Sequence, residues 1–148
     1  ILADGKTSRL YKALVEQQLA TQVSASSMDG FDPGLLYVYA VAAAGVAPAR
    51  LEQATLAEID RLAKDGVSAE ELQKVKNQKL VAIYRELETI NGKAEQLGQH
   101  EVMFGDYRKM FDAPARYQAL TPADIQRVAA KYLKKSQRTV GVLAAKED

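Results

Sequence analysis

The chain has 148 residues, of which 47% are hydrophobic and 26% are charged, the composition of an ordinary globular protein with room for one core. Its 20 basic and 19 acidic side chains leave a formal charge of +1, which argues against a nucleic-acid partner. Cysteine is absent, which excludes disulfides, thiol catalysis and cysteine-ligated zinc and fits the cytoplasm and the periplasm equally. No apolar run approaches the ~20 residues of a membrane-spanning helix.

The first part of the chain predicts a short helix followed by a β-hairpin. Residues 1–3, ahead of Gly5, are typical of a last helical turn with its C-cap glycine. Thr7 can begin a helix whose apolar residues recur at helical spacing. Alternating polarity over 21–29 predicts a half-buried strand, and the β-prone run 35–43 predicts its hairpin partner.

Two helix starts follow the hairpin. Pro48 suits the first turn of a helix, where its missing N–H would have no partner, and Gly66 ends that helix. Ser68 and Glu71 form a capping box, in which the hydroxyl and the carboxylate each accept a hydrogen bond from an unpaired backbone N–H. The sequence therefore predicts a second, long helix directly after the first.

The remaining elements complete an α+β fold. The long helix is predicted over 69–104, with a kink or break at Asn91-Gly92, and another helix near 106–119. The run 121–124 begins a last helix, and 139–145 predicts a final strand. The order predicts one compact domain with an antiparallel sheet and helices packed on one of its faces.

The residues that could carry chemistry are few. His100 is the only histidine, and Phe104 stands where a zinc helix of the H-E-x-x-H kind would need a second one. The inverted H-x-x-E-H pattern is absent too, so we expect no catalytic and no metal-binding residue in this chain. Arg9 and Tyr11 are the candidates for contact with a ligand. The alternative is that Tyr11 packs and Arg9 pairs with solvent or a carboxylate.

Several segments carry a resemblance that spans nearly the whole chain. They are the stretch 2–15 with Ser-Arg-Leu-Tyr at 8–11, the strand 23–27, the capping box and following helix at 68–77, and the helix start at 120–125. In order and spacing this chain resembles the insulinase/pitrilysin/mitochondrial-processing-peptidase-like zinc peptidases.

The resemblance implies a fold and a role. In that family two related α+β halves, processing-peptidase-like or ferredoxin-like, face each other as a clamshell, and the first half usually holds an H-x-x-E-H zinc motif. This chain resembles the C-terminal, non-catalytic half of a bacterial member, with 1–148 as a single domain that lacks its first strand and most of its first helix. The implied function is one wall of the substrate chamber, with zinc bound in the missing N-terminal half.

A second family feature is absent here. The C-terminal half often carries an arginine and a tyrosine that bind substrate, in a run of the kind L-R-x-x-x-x-L-x-Y. In the corresponding run Val15 stands in place of the arginine and Thr21 in place of the tyrosine, and the run is one residue short. This departure suggests a zinc-bearing parent that works with a second homologous subunit carrying the Arg/Tyr pair.

The implied partners are the N-terminal half of the same polypeptide, that second subunit and a peptide substrate, with no nucleic acid and no membrane span. Self-association of this chain is expected as well, because a sheet without its first strand leaves an open edge. Two other functions stay open. One is a structural or assembly subunit of the same fold without peptidase activity, and the other is an unrelated α+β binding module.

Overall fold

The computed structural model describes residues 1–27 and 32–143. Its elements are, in chain order, a π-helix (Tyr11–Val15), strands β1 (Ala20–Ser27) and β2 (Leu36–Ala42), helices α1 (Pro48–Asp65), α2 (Ala69–Glu88) and α3 (Ile90–Phe104), a 3₁₀-helix (Tyr107–Asp112), helices α4 (Ala113–Ala119) and α5 (Pro122–Tyr132), and a 3₁₀-helix (Lys135–Gln137). The two strands pair antiparallel, and the predicted α+β class is confirmed.

The described chain divides into two compact units. The first contains Ile1–Ser26, Leu36–Gly66 and the described residues from Ile125 onward. The second is built mainly from Val67–Asp124. The first unit therefore combines the hairpin with α1 and most of α5, whereas the second contains helices and connecting turns.

The core of the first unit forms where the π-helix, the hairpin and α1 meet. Leu10 and Leu14 are fully buried, and they lie four residues apart and so on the same helical face. Ala20 of β1 and Leu51 of α1 complete the buried cluster. Alternate residues of β2 pack against it, as the two-residue period of a strand requires: Val38, Ala40 and Ala42.

Helix α1 buries one stripe of side chains at helical spacing. Leu51, Ile59 and Leu62 are buried, and the half-buried Thr55 donates its hydroxyl to the Leu51 carbonyl at 2.8 Å. Gly66 ends the helix with φ +70°, a conformation that favours glycine, and its N–H donates to the Leu62 carbonyl at 3.0 Å. The predicted helix end is therefore confirmed.

The second unit begins with the predicted cap. The Ser68 hydroxyl accepts a hydrogen bond from the Glu71 N–H at 3.0 Å, which satisfies one of the backbone donors at the start of α2. Further along the same helix, Lys76 Nζ donates to the Gln118 carbonyl near the end of α4 at 2.8 Å. A cation at the negative end of a helix stabilises it, so this bond holds α4 against α2.

The helix predicted over 69–104 is broken, but two residues before the predicted position. Thr89 is extended (φ −95°, ψ 151°) and separates α2 from α3, and its Oγ1 accepts from the Gly92 N–H at 2.9 Å. Gly92 is buried in the first turn of α3. A Cβ on Gly92 would lie 1.9 Å from the Glu86 carbonyl oxygen, so the corner requires glycine there.

Two predictions for the C-terminal part need correction. The predicted helix near 106–119 is a 3₁₀-helix followed by α4, because Pro114 has no N–H to donate and its ring would clash with an α-helical turn before it. The strand predicted over 139–145 is wrong for residues 139–143, which form no strand and do not pair with β1 or β2. Residues 144–145 lie outside the described residues.

Candidate functional site

The guanidinium of Arg9 lies against the end of α1. Its Nη2 donates to the Gly66 carbonyl at 2.8 Å, and Arg9 itself is half-buried. The Gln126 side chain donates from Nε2 to the Lys64 carbonyl at 2.6 Å. Two side chains thus satisfy carbonyls that the helix end leaves open, and the arginine also places a positive charge at the negative end of the helix. The structure gives Arg9 a role in packing the first unit.

Tyr11, the second candidate, lies in the π-helix and is half-buried. Its carbonyl accepts from the Glu16 N–H at 3.1 Å, and its hydroxyl has no hydrogen-bond partner within the described ranges. Residues two apart on a helix do not share a face, so Arg9 and Tyr11 are neighbours in sequence without forming one pocket. Their contact with a ligand stays a prediction.

A residue that sequence reasoning missed lies directly before this pair. Ser8 is 3% exposed, and its hydroxyl oxygen has no hydrogen-bond partner among the described residues. Its backbone is paired, since its N–H donates to the Gly5 carbonyl and its carbonyl accepts from Lys12, each at 3.1 Å. A serine beside an arginine gives no sequence signal of burial, so only the packing of this turn identifies it.

The two positions that depart from the family's Arg/Tyr pair carry no charge and no phenol. Val15 is half-buried and packs against the core of the first unit. Thr21 is exposed in β1, and its Oγ1 lies 3.5 Å from the Val41 carbonyl oxygen, too long for a strong hydrogen bond. Neither side chain can make the ionic or aromatic contact that the pair would make.

His100, the single histidine, makes its contacts within the C-terminal part of α3. His100 Nδ1 lies 2.9 Å from the Gln96 carbonyl oxygen, and its ring packs on Phe104 with centroids 5.4 Å apart. The neighbouring Glu101 carboxylate accepts from the Tyr107 N–H at 2.9 Å. Over 1–27 and 32–143 no group of three or more His, Asp or Glu side chains could hold a metal ion.

One exposed ion pair follows α3. The Asp106 carboxylate accepts hydrogen bonds from Arg108, from Nε at 2.8 Å and from the backbone N–H at 2.9 Å. The side-chain bond, followed by the backbone bond, lowers the pKa of Asp106, and the same bond raises the pKa of Arg108. The pair caps the 3₁₀-helix Tyr107–Asp112 and shows no feature of a catalytic acid.

An open groove in the first unit is lined by one acidic and four basic residues. It has a volume of about 380 Å³, and its lining includes Asp60, Leu133 and Arg138. The Arg138 guanidinium pairs with the Asp60 carboxylate and also donates to the Leu133 carbonyl, at 2.8 Å from Nη2. The arginine is paired with Asp60 and bonds the end of α5, and the lysines of the lining, Lys64, Lys134 and Lys135, are exposed to solvent, so the groove shows no built anion site. None of the described helices is long and apolar enough to cross a bilayer.

Comparisons with known proteins identify the family. A family model described as the Peptidase M16 inactive domain matches residues 1–79. A search of curated protein sequences found no match. The chain belongs to the M16 peptidase family and is of its inactive, non-catalytic C-terminal domain type, which confirms the resemblance seen in the sequence.

Solved structures of similar proteins agree with this assignment. A "putative zinc protease" from Bordetella pertussis Tohama I is 33% identical, with a TM-score of 0.81 over 94% of this chain and 77% of that chain. The inactive peptidase domain of a protein of the same description from Bordetella parapertussis is 31% identical, with a TM-score of 0.86 over 100% of this chain and 79% of that one. A protease from Helicobacter pylori is 25% identical, with a TM-score of 0.82 over 92% of this chain but only 33% of its own.

Proposed function

We propose that this domain forms one wall of the substrate chamber of a zinc metalloendopeptidase. The observation that carries the proposal is the match to inactive peptidase domains along the chain. A wall of this kind limits the size of the peptide that enters and excludes bulk water from it. The domain thus contributes to proteolysis by enclosure and leaves the chemistry to its partner.

Zinc, in this proposal, belongs to the N-terminal half of the same polypeptide. The residues present here do not fit the metal, because His100 bonds a backbone carbonyl and no described cluster supplies three ligands. We therefore derive no catalytic step from this chain. Activation of water by a metal ion, with a motif glutamate as base, is the chemistry that the other half would supply.

The proposed partners are that N-terminal half, a second homologous subunit that brings the Arg/Tyr pair, and a peptide substrate. Val15 and Thr21 support the need for the second subunit, because neither side chain can replace an arginine or a tyrosine. Arg9 and Tyr11 stay the candidate peptide contacts of this chain. Tyr11 is the better placed of the two, since the guanidinium of Arg9 already bonds Gly66.

The test is reconstitution. This domain and the N-terminal half of its polypeptide are purified separately, mixed with and without the second subunit, and assayed on a quenched fluorescent peptide. We expect this domain alone to be inactive and the assembled halves to cleave, with loss of cleavage on zinc removal. A matched pair, Tyr11→Phe and Tyr37→Phe, separates the candidate contact from a general loss of tyrosine. An N-terminal half that cleaves equally fast without this domain would contradict the proposal.

A further inference from the structure

The corner between α2 and α3 contains an Asn-Gly dipeptide, Asn91-Gly92. Attack of the backbone on an asparagine side chain is easiest where the next residue is glycine, because no Cβ hinders the attacking nitrogen. The other asparagine of the chain, Asn77, is followed by glutamine and lies within α2. Asn91 is exposed, so water reaches its side chain. The dipeptide is therefore the position at which deamidation is chemically favoured.

Deamidation at Asn91 proceeds through a cyclic imide. The Gly92 nitrogen forms a bond to the carbonyl carbon of the Asn91 side chain, and the carbon–nitrogen bond of the side-chain amide breaks. The amide nitrogen leaves as ammonia, together with the proton that the Gly92 nitrogen gives up. Water then opens the imide at either of its carbonyl carbons. One product is aspartate with the original backbone, and the other is isoaspartate, whose backbone runs through the side-chain methylene.

The closed corner opposes this attack in three ways. Asn91 and Gly92 lie in the first turn of α3, where the helical backbone fixes the peptide plane between them. The Gly92 N–H, whose proton must leave, donates to the Thr89 hydroxyl oxygen at 2.9 Å. Gly92 is also buried so close to the Glu86 carbonyl oxygen that a Cβ would lie 1.9 Å from it. The peptide that would react therefore has no room to turn.

Exposed hydrogen bonds hold the corner closed. The Gln96 side chain of α3 donates from Nε2 to the Glu86 carboxylate of α2 at 2.9 Å, and the Thr89 cap is exposed as well. Ile90, the first residue of α3, is 85% exposed, so the start of this helix buries little apolar surface. Regions with exposed hydrogen bonds and few buried apolar contacts open locally without unfolding of the whole protein. The corner is such a region.

We propose that Asn91 is a site of spontaneous deamidation that reacts only while the corner between α2 and α3 is open. Opening breaks the bond from Gly92 to Thr89 and moves the Gly92 peptide away from Glu86, so its nitrogen can attack. Aspartate then adds a negative charge to the first turn of α3, which has no acidic residue and favours one. Isoaspartate lengthens the backbone directly before Gly92, so Gly92 no longer fits against Glu86. The isoaspartate form therefore keeps the corner open.

The rate of deamidation tests the proposal. The purified chain is incubated at mildly alkaline pH, and peptide mapping by mass spectrometry measures conversion of Asn91, with Asn77 as the internal control. We expect Asn91 to react at least about tenfold more slowly in the folded chain than in guanidinium chloride, because only the open fraction reacts. Asn77 should stay intact over the same period in the folded chain.

Three variants test the cause of the protection. Thr89→Val removes the hydroxyl that accepts from Gly92 but keeps a branched side chain, and it should speed the reaction about fivefold, the usual effect of losing a cap. Thr89→Ser keeps a capping hydroxyl and should react at nearly the unmodified rate. Ile59→Val weakens the core of the first unit, and it should leave the rate unchanged because the corner opens locally.

Each comparison has an outcome that would overturn the proposal. Equal rates in the folded and the unfolded chain would show that the corner does not protect Asn91, and this comparison needs no variant. An unchanged rate in Thr89→Val, with an unchanged circular dichroism spectrum, would show that the bond from Gly92 is no restraint. Equal acceleration by Ile59→Val would show that the reaction requires global unfolding.

Discussion

At the scale of single residues, Gly92 and Gly98 make a matched pair within α3. A Cβ on Gly92 would meet the Glu86 carbonyl oxygen at 1.9 Å, whereas a Cβ on Gly98 meets no atom within 4 Å. Alanine is ordinarily favoured over glycine inside a helix by about 1 kcal/mol. The two positions should therefore respond to the same substitution with opposite signs.

We predict that Gly92→Ala lowers the free energy of unfolding by about 1–3 kcal/mol, the usual cost of overpacking, because the corner between α2 and α3 must open. Gly98→Ala should raise it by about 0.5–1 kcal/mol. Urea denaturation followed by circular dichroism measures both. Equal effects at the two positions would show that the corner is not closely packed.

Ser8 offers a test of an unsatisfied hydroxyl. The buried Ser8 hydroxyl has no hydrogen-bond partner in the described chain. A buried hydroxyl without a partner costs free energy, because it has lost its bonds to water, so removing the hydroxyl relieves that cost. We predict that Ser8→Ala is neutral or stabilises the protein by up to about 1 kcal/mol. A loss of more than about 1 kcal/mol in the same denaturation experiment would show that the hydroxyl has a hydrogen-bond partner in solution.

At the scale of elements, the first turn of α2 depends on its cap. We predict that Ser68→Ala lowers the free energy of unfolding by ~1 kcal/mol, because the Glu71 N–H loses the oxygen that accepts its hydrogen bond. Ser68→Asp should be close to the unmodified protein, since aspartate caps about as well as serine. A midpoint unchanged by the alanine substitution would rule Ser68 out as the cap.

The start of the 3₁₀-helix Tyr107–Asp112 makes a pH prediction. Hydrogen bonds from Arg108 lower the pKa of the Asp106 carboxyl. The ionised carboxylate therefore stabilises the fold at pH values above the pKa that Asp106 has in the unfolded chain. This stabilisation is lost as the pH falls through the pKa that Asp106 has in the folded protein. Titration of the Asp106 carboxyl by NMR should give a midpoint below the ordinary value. Arg108→Gln should move that midpoint upward, and Lys74→Gln, on a different helix, should leave it unchanged.

The ends of individual helices were predicted better from the sequence than the connections and contacts between elements. The caps at Ser68 and Gly66 are local in the chain, so the start of α2 and the end of α1 could be predicted. The predicted position of the break between α2 and α3 was wrong by two residues, because the extended residue is Thr89. Gly92 is needed for another reason, namely the close approach of the Glu86 carbonyl oxygen. The predicted final strand depended on a neighbouring strand, which a local pattern cannot supply.

In the candidate site too, local features could be predicted from the sequence, whereas contacts between distant residues could not. The sequence contains no H-x-x-E-H motif, and the order of its other motifs was enough to identify the family. The bond from Arg9 to the Gly66 carbonyl joins residues 57 apart, so no local pattern could have indicated it. The burial of Ser8 depends equally on packing.

At the scale of the whole molecule, we predict that the purified chain retains no stoichiometric zinc and cleaves no peptide. The reason is that its one histidine bonds the Gln96 carbonyl and no described cluster offers three ligands. Dialysis against zinc followed by a mild chelator and elemental analysis measures retention. His100→Gln serves as the control, and a zinc content that this substitution abolishes would contradict the prediction.

The division into two units has a consequence for the order in which the chain acquires its structure during synthesis. The second unit is nearly continuous in sequence, so most of its contacts have low separation and form quickly. The first unit combines residues up to Gly66 with residues from Ile125 onward, so most of α5 is synthesised after the whole second unit. Because the ribosome synthesises the chain from its N-terminus, we expect the second unit to fold before the first. The first unit cannot complete its core until α5 has been synthesised.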